Sequence, residues 1–331
     1  MSQETVFLTG TAEVTVQGDI AADTLTGLSS LPKYLLPKYL YDDTGSAIFR
    51  EIMNMPGYYL TGCEYEIFSE KSLRISELLT EGAAEIRIIE PGSGDGLKTT
   101  LLLEALRSSG IKFSFLPVDI SPHANDILKD SILRKLQDID IQPITGDYFN
   151  VLENIDNYDD DARNVILFLG SNIGNLNNSE LNLFLGNISK FTRSGDRVLI
   201  GFDLKKAPSV IMKAYDDPQG LTKTFNIKHL RRLNRELNAD FNTDLFEHHT
   251  EYNPVTGELK SFLVSVTEQD VNIGLIGESF HFGRWEPLFM ELSRKFDFRG
   301  ISLLAHSHGF RIIENFTDNN GWFTDSLWIR I

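Results

Sequence analysis

The stretch Glu90-Pro91-Gly92-Ser93-Gly94-Asp95-Gly96 has the residue types of a turn that lies against a ligand. A β-branched run, residues 85–90, precedes it, and residues 98–106, with helical spacing, follow. Glycine has no Cβ, so the chain turns sharply there and a ligand can approach its backbone. A plain glycine-rich strand-to-helix turn would use the same residues; the acidic positions downstream favour a ligand site. Asp119 closes the next strand candidate, residues 113–118, near the roughly 20-residue spacing of a carboxylate that grips ribose hydroxyls. Asp147 ends a third strand region. These positions fall at the carboxyl ends of parallel strands, where open α/β sheets bind ligands. A dinucleotide fingerprint would need glycine where Leu97 stands, and the Gly-Lys-Ser/Thr of a P-loop is missing. The pattern suits S-adenosylmethionine, which has no pyrophosphate to cradle and carries a positive sulfonium that acidic surroundings favour.

Other chemistries find less support. His248-His249 and His306-Ser307-His308 are adjacent or alternating histidines without a supporting cysteine or carboxylate set, so no metal site is expected. No nucleophile elbow is present. Cys63, the single cysteine, excludes an intramolecular disulfide and reads as a bystander.

The elements that must position the turn alternate. Strand candidates at residues 85–90, 113–118, 165–169 and 197–202 are interleaved with helical stretches at 98–106 and 124–136, which argues for a parallel sheet covered on both faces. Residues 310–316 and 322–331 form two further strand candidates separated by Thr317-Asp318-Asn319-Asn320-Gly321, as in an antiparallel hairpin returning to that sheet. Between them, residues 206–295 mix helical segments (207–215, 230–237) with a strand-like one (260–268) and read as a second lobe.

Composition narrows the class. The 331 residues carry 47 acidic against 31 basic side chains, a formal charge of −16, which phosphate backbones and anionic lipid would repel. Apolar residues at 41% are enough for a sizeable core, yet no run approaches the roughly 18 apolar residues of a membrane span. The first thirty residues lack the basic and apolar regions of a signal peptide. A cytoplasmic enzyme of small molecules is expected, with neither nucleic acid, membrane nor an obligate protein partner.

Several strings carry a resemblance. They are Pro37-Lys38-Tyr39-Leu40-Tyr41-Asp42, Pro56-Gly57-Tyr58-Tyr59-Leu60-Thr61, Gly92-Ser93-Gly94 with Lys98-Thr99, and Phe168-Leu169-Gly170-Ser171-Asn172-Ile173-Gly174-Asn175-Leu176. Ala214-Tyr215-Asp216-Asp217, Leu233-Asn234-Arg235-Glu236-Leu237 and Glu291-Leu292-Ser293-Arg294-Lys295-Phe296 follow in the same order. From about Pro32 to Ile331 the chain resembles the histidine Nα-methyltransferases of ergothioneine biosynthesis.

The resemblance implies an α/β fold: a Rossmann-like S-adenosylmethionine methyltransferase sheet with an antiparallel C-terminal strand, plus a second, substrate-binding lobe. The methyltransferase domain would comprise residues 70–205 and 296–331, and the lobe residues 1–69 and 206–295. The implied reaction is methylation of the α-amino group of L-histidine to the trimethylated betaine, hercynine. S-adenosylmethionine would be held at Gly92, Lys98, Asp119 and the pair Asp147-Tyr148. Histidine would be held by Tyr58, Gly170 (through its backbone), Asn175, Tyr215, Glu291 and Ser293, with Asn175, Tyr215 and Tyr41 serving catalysis.

Two departures stand out. Ser261 aligns with a family methionine that flanks the imidazole pocket, and Tyr148 replaces a frequent phenylalanine. Ser261 keeps open N-methylation of another amino acid or of a modified histidine, and a non-catalytic sensor of cofactor or amino acid is a further alternative.

Each residue also has a bland reading. Tyr58 would be an ordinary half-buried aromatic, Asn175 a turn former, Tyr215 a helix-end surface residue, and Lys98 a solvated first-turn lysine. Glu291 four residues before Lys295 would be a helix ion pair. Glu291 and Ser293 share a face only if their segment is extended, which is the conformation expected.

Overall fold

Strands that are apolar on both faces build the centre of the larger of two units in this computed structural model, which describes residues 16–146, 151 and 161–331. The larger unit comprises Ile52–Asp217, Glu251–Lys260 and Leu292–Ile331. Its sheet runs β12-β13-β6-β5-β1-β2-β3, with the short β4 also paired to β2. These strands are β1 (Glu85–Pro91), β2 (Lys112–Asp119), β3 (Asp140–Ile141), β4 (Ile144–Thr145), β5 (Arg163–Phe168), β6 (Arg197–Asp203), β12 (Phe310–Thr317) and β13 (Phe323–Arg330). β1 to β6 pair in parallel, whereas β13 runs antiparallel to both β6 and β12. The C-terminal hairpin therefore inserts its second strand beside β6 and leaves its first at the edge.

Side chains alternate across a strand, and the two cores follow that alternation. Ile86, Ile88, Phe115, Val165, Leu167, Leu199 and Leu327 join one face, where α3 (Tyr59–Thr80), α4 (Leu97–Ser109) and α5 (Pro122–Lys135) contribute Phe68, Ile75, Leu102 and Leu128. Ile89, Leu116, Ile166, Val198, Ile200 and Trp328 join the other, against Phe184 and Ile188 of α6 (Asn178–Phe191) and Ile301 of α9 (Phe298–Ser307). A third group, Leu60, Ile211, Ala214, Tyr215 and Leu259, packs around α7 (Pro208–Tyr215), with Tyr58, Tyr59 and Tyr252 against it.

The smaller unit comprises the chain up to Glu51, Pro218–Thr250 and Ser261–Glu291. Its core gathers Ile20 and Leu28 of α1 (Val16–Ser29), Ile227, Leu230 and Leu233 of α8 (Leu221–Glu236), and Phe246, Phe282, Leu288 and Met290. Three strands, β7 (Phe246–Tyr252), β8 (Glu258–Ser265) and β11 (Pro287–Arg294), form a sheet in the order β11-β8-β7, and β9 (Gln269–Ile273) pairs antiparallel with β10 (Glu278–Phe282). Asp42, at the start of α2 (Asp43–Met53), pairs with Lys228, and Arg232 donates to the Tyr39 carbonyl. The helical patterning expected at 230–237 is the second half of the longer α8, and the strand expected at 260–268 begins and ends earlier, as β8.

Candidate active site

The glycine turn leaves β1 with three left-handed residues, Gly92, Gly94 and Gly96, at φ 72°, 59° and 66°. An L side chain rarely adopts that conformation. At Gly96 space is also short, since a Cβ would lie 2.3 Å from Leu128 Cδ1 of α5. The Gly92 N–H donates to the Val118 carbonyl at 2.8 Å, which fixes the turn to the end of β2. There Asp119 accepts from the Ser121 N–H at 2.8 Å, and burial raises its carboxyl above the usual range. Gly146 donates its N–H to the Asp119 carbonyl at 3.0 Å. The next two residues, Asp147 and Tyr148, lie outside the described residues.

Beneath the turn lies a set of buried carboxyls. Glu90 accepts from Thr99 Oγ1 at 2.7 Å, while its Oε2 has no hydrogen-bond partner among the described residues. Burial pushes its carboxyl up to about 7, against the opposing pull of the Thr99 hydroxyl and the Lys98 charge. Glu64 of α3 pairs with Lys98 and accepts the Gly170 N–H at 2.7 Å. It reaches that position because Gly201 of β6 has no Cβ: one would lie 2.6 Å from Glu64 Oε1. Asp325, which faces Gly201 across β13 and β6, is fully buried, and burial together with the Glu64 charge holds its carboxyl well above the usual range. Lys98 is thus an ion-pair partner rather than a solvated lysine. Burial alone would disfavour its ammonium, but Glu64 reverses that. The Gly170 N–H is already committed to Glu64, which leaves the Gly170 carbonyl as the backbone group for other partners.

After β5 the chain takes two consecutive left-handed residues, Gly170 (φ 74°) and Ser171 (φ 57°), into a short turn spanning Asn172–Asn175. Ser171 Oγ accepts the Asp203 N–H at 2.9 Å and so ties the ends of β5 and β6 together. Gly174 sits where a Cβ would lie 2.7 Å from the Arg294 carbonyl oxygen, which sets Asn175 close to the segment that follows Ser293. From the other side, Gly257 (φ 78°) would place a Cβ 2.1 Å from the Lys295 carbonyl oxygen, and the Lys295 N–H donates to the Gly257 carbonyl at 2.7 Å.

Tyr215, the last residue of α7, is buried at 8% exposure rather than lying on the surface. Its ring meets that of Tyr58 edge-on at 6.1 Å, and its hydroxyl lies 2.9 Å from Ser293 Oγ. Glu291 and Ser293 belong to β11, which is extended rather than helical, so they share one face. Tyr41 belongs to the smaller unit, where its ring packs edge-on against Phe49 at 5.5 Å and Phe225 at 5.4 Å.

The sequence did not mark a second buried cluster. Asp203, at the end of β6, pairs with Lys206 and with Lys295 at 2.8 Å and accepts from Tyr59 Oη at 2.9 Å. Lys206 also donates to Tyr59 Oη at 2.9 Å. Lys295 donates to Tyr215 Oη at 2.7 Å and to Ser293 Oγ at 2.8 Å. Burial, with Asp203 alongside, holds the Tyr59 phenol far above its ordinary range, and burial lowers the Lys206 ammonium against the pull of Asp203. The available signals were Asp203 closing its strand and Lys295 inside the string that carries Glu291 and Ser293.

Among the described residues, no group of three or more His, Cys, Asp or Glu is placed to hold a metal ion, and no helix is long and apolar enough to cross a membrane.

Comparison with known proteins places the chain in a family. Residues 20–330 match the family described as histidine-specific methyltransferase, SAM-dependent. The chain is 33% identical over 305 residues to a histidine N-alpha-methyltransferase of Mycobacterium tuberculosis, covering 92% of this chain and 93% of that protein. Identity to the protein of the same name from Mycolicibacterium smegmatis is 33% over 308 residues, covering 93% and 94%. Ergothioneine biosynthesis protein 1 of Schizosaccharomyces pombe is 30% identical over 239 residues, which are 69% of this chain and 30% of that protein. The chain belongs to the S-adenosylmethionine-dependent, histidine-specific methyltransferase family.

Proposed function

We propose that this enzyme methylates the α-amino nitrogen of L-histidine, through to the trimethylated betaine hercynine, as a step in ergothioneine formation. The observation that carries the reading is the grouping of Tyr58, Tyr215 and Ser293, with Gly174 setting Asn175 beside the strand end that carries Ser293. We assign cofactor binding to residues 70–205 and 296–331 and amino-acid selection to residues 1–69 and 206–295.

Gly92, Lys98, Asp119, Asp147 and Tyr148 would hold S-adenosylmethionine, which when bound supplies an electrophilic methyl carbon on a sulfonium. Three features fit that group: the left-handed glycines, the carboxylate closing β2, and the unpartnered buried oxygen of Glu90. A positive ligand suits surroundings so rich in carboxyls.

Methyl transfer to an amine needs a neutral, aligned nitrogen more than it needs covalent help from the protein. Asn175 offers a donor and an acceptor, enough to bind the carboxylate and orient the amine. Tyr58, Tyr215 and Tyr41 supply phenolic groups on rigid rings, and the Gly170 carbonyl is an acceptor for the amine. Glu291 accepts an imidazole N–H, and Ser293, on the same face of β11, serves the other ring nitrogen.

Mass spectrometry after incubation with S-adenosylmethionine and the twenty amino acids tests the reading. One to three added methyl masses on histidine support it. Methylation of a different amino acid, or cofactor binding without product, refutes it. Glu291→Ala is expected to raise KM for histidine about tenfold or more, the loss of one charge-assisted hydrogen bond. Affinity for S-adenosylhomocysteine should hold within about threefold. Equal losses in both would remove Glu291 from the imidazole role.

A further inference from the structure

Two accessible positions of the larger unit are joined by one hidden carboxylate. Lys98, in the first turn of α4, keeps 22% of its side chain exposed, and Gly170 is exposed, whereas the Glu64 side chain that links them keeps 1%. Glu64 Oε2 takes the Lys98 ammonium, and Oε1 accepts the Gly170 N–H at 2.7 Å. The turns that carry these partners also adjoin directly. Asn172 Nδ2 would lie 3.6 Å from a Cβ at Gly92 and 3.7 Å from one at Gly170, so its amide stands beside both glycines.

Packing alone does not call for an ion at Glu64. It lies on the buried stripe of α3 with Ile67, Phe68 and Ile75, where an apolar side chain would avoid the cost of desolvating a charge. Asp325 and Glu90 add to the negative field at Lys98, but Glu64 is the acid whose hydrogen bonds reach both turns. In a low-dielectric interior such charge-assisted bonds depend on one another. A carboxylate that loses part of one donor leans harder on the other. With the cofactor site empty, Lys98 spends its charge on Glu64. Once Lys98 also meets the α-carboxylate of a bound S-adenosyl compound, Glu64 keeps less of the ammonium and turns its charge to the Gly170 N–H. That N–H opens the left-handed pair Gly170-Ser171, which leads into the turn ending at Asn175.

We propose that Glu64 is a positioning residue that couples the two binding sites: by dividing its carboxylate between Lys98 and the Gly170 N–H, it makes cofactor occupancy tighten the Gly170–Asn175 turn on the amino acid. The inference rests on the functional reading above, which gives Lys98 to the cofactor and Gly170 and Asn175 to histidine, and it deepens that reading. Coupling of this kind is reciprocal, so the amino acid must tighten the cofactor by the same factor.

Isothermal titration calorimetry on the whole enzyme tests this without turnover. S-adenosylhomocysteine keeps the amino-acid carboxylate but has no methyl group to give; 5′-methylthioadenosine keeps the nucleoside and lacks that carboxylate. In the wild type, saturating S-adenosylhomocysteine should lower the Kd of L-histidine about tenfold, and histidine should lower the Kd of S-adenosylhomocysteine equally. Saturating 5′-methylthioadenosine should change the histidine Kd less than about twofold. Glu64→Gln keeps the shape and an acceptor for Gly170 but carries no charge for Lys98. Its coupling factor should fall below about twofold, with the histidine Kd of the cofactor-free variant within about threefold of wild type. Should Glu64→Gln not fold, the two nucleosides compared on the wild type decide. Coupling that survives in Glu64→Gln, or that 5′-methylthioadenosine produces in full, overturns the inference, as does independent binding of the two ligands to the wild type. A wild type that binds no histidine with or without S-adenosylhomocysteine instead overturns the functional reading beneath it.

Discussion

The larger unit buries two ionic clusters of opposite balance. Beneath the glycine turn, among the described residues, three carboxyls (Glu64, Glu90, Asp325) share one ammonium, that of Lys98. At the end of β6, two ammoniums (Lys206, Lys295) share the carboxylate of Asp203. Burying charge is costly unless it is paired, and the clusters meet that cost differently. Surplus carboxyls can take up protons, which is what the raised Glu90 and Asp325 carboxyls describe. The basic cluster instead satisfies its ammoniums with Tyr59, Tyr215 and Ser293 hydroxyls. An acidic floor that can titrate suits a cationic ligand.

That contrast predicts unequal costs. Asp203→Ala leaves two buried ammoniums without a counter-ion and should destabilise the protein by about 3–5 kcal/mol in urea denaturation; a loss below about 1 kcal/mol would break the comparison. Glu90 gives the next largest effect, and it depends on pH. Its folded carboxyl titrates near 7, against an ordinary value of 4.5, so between those values the folded state holds a proton that the unfolded chain releases. Stability should therefore be greatest below pH 4.5 as far as this group is concerned and decline as pH rises through 7, by up to about 3 kcal/mol. Glu90→Gln should flatten that decline, as read from urea midpoints at several pH values; an unchanged slope would remove Glu90 as its source. Glu64→Ala should cost least, about 1–2 kcal/mol, because Asp325 is relieved of a neighbouring charge while Lys98 and the Gly170 N–H lose a partner. A cost equal to that of Asp203→Ala would show the surplus carboxyls to be ionised.

Legibility in the sequence followed the range over which each signal acts. The central strands were readable because residues such as Ile88 and Ile89, or Val198 and Leu199, alternate between two apolar cores and write continuous hydrophobic runs. The glycine turn was readable because left-handed backbone at Gly92, Gly94 and Gly96 demands one residue type. Helix α3 was not: its buried stripe includes Glu64, Ser72 and Ser76, so polar residues occupy positions where periodicity looks for apolar ones. The Asp203 cluster was hidden for a different reason. Asp203 and Lys295 lie far apart in the chain, and nothing local distinguishes a buried lysine from a solvated one. Tyr215 read equally well as a surface residue because its burial depends on Leu60 and Leu259, which are just as distant.

Gly174 and Gly257 close on the backbone at Arg294 and Lys295 from two directions, with no room for a methyl group at either glycine. The chain just beyond Ser293 is therefore gripped by its neighbours' main chain, independently of the side chains it carries. An engineer who exchanges Ser293 for another residue works against a fixed ruler: a change in which amino acid is accepted reports the new side chain, because the peptide beside it has nowhere to drift.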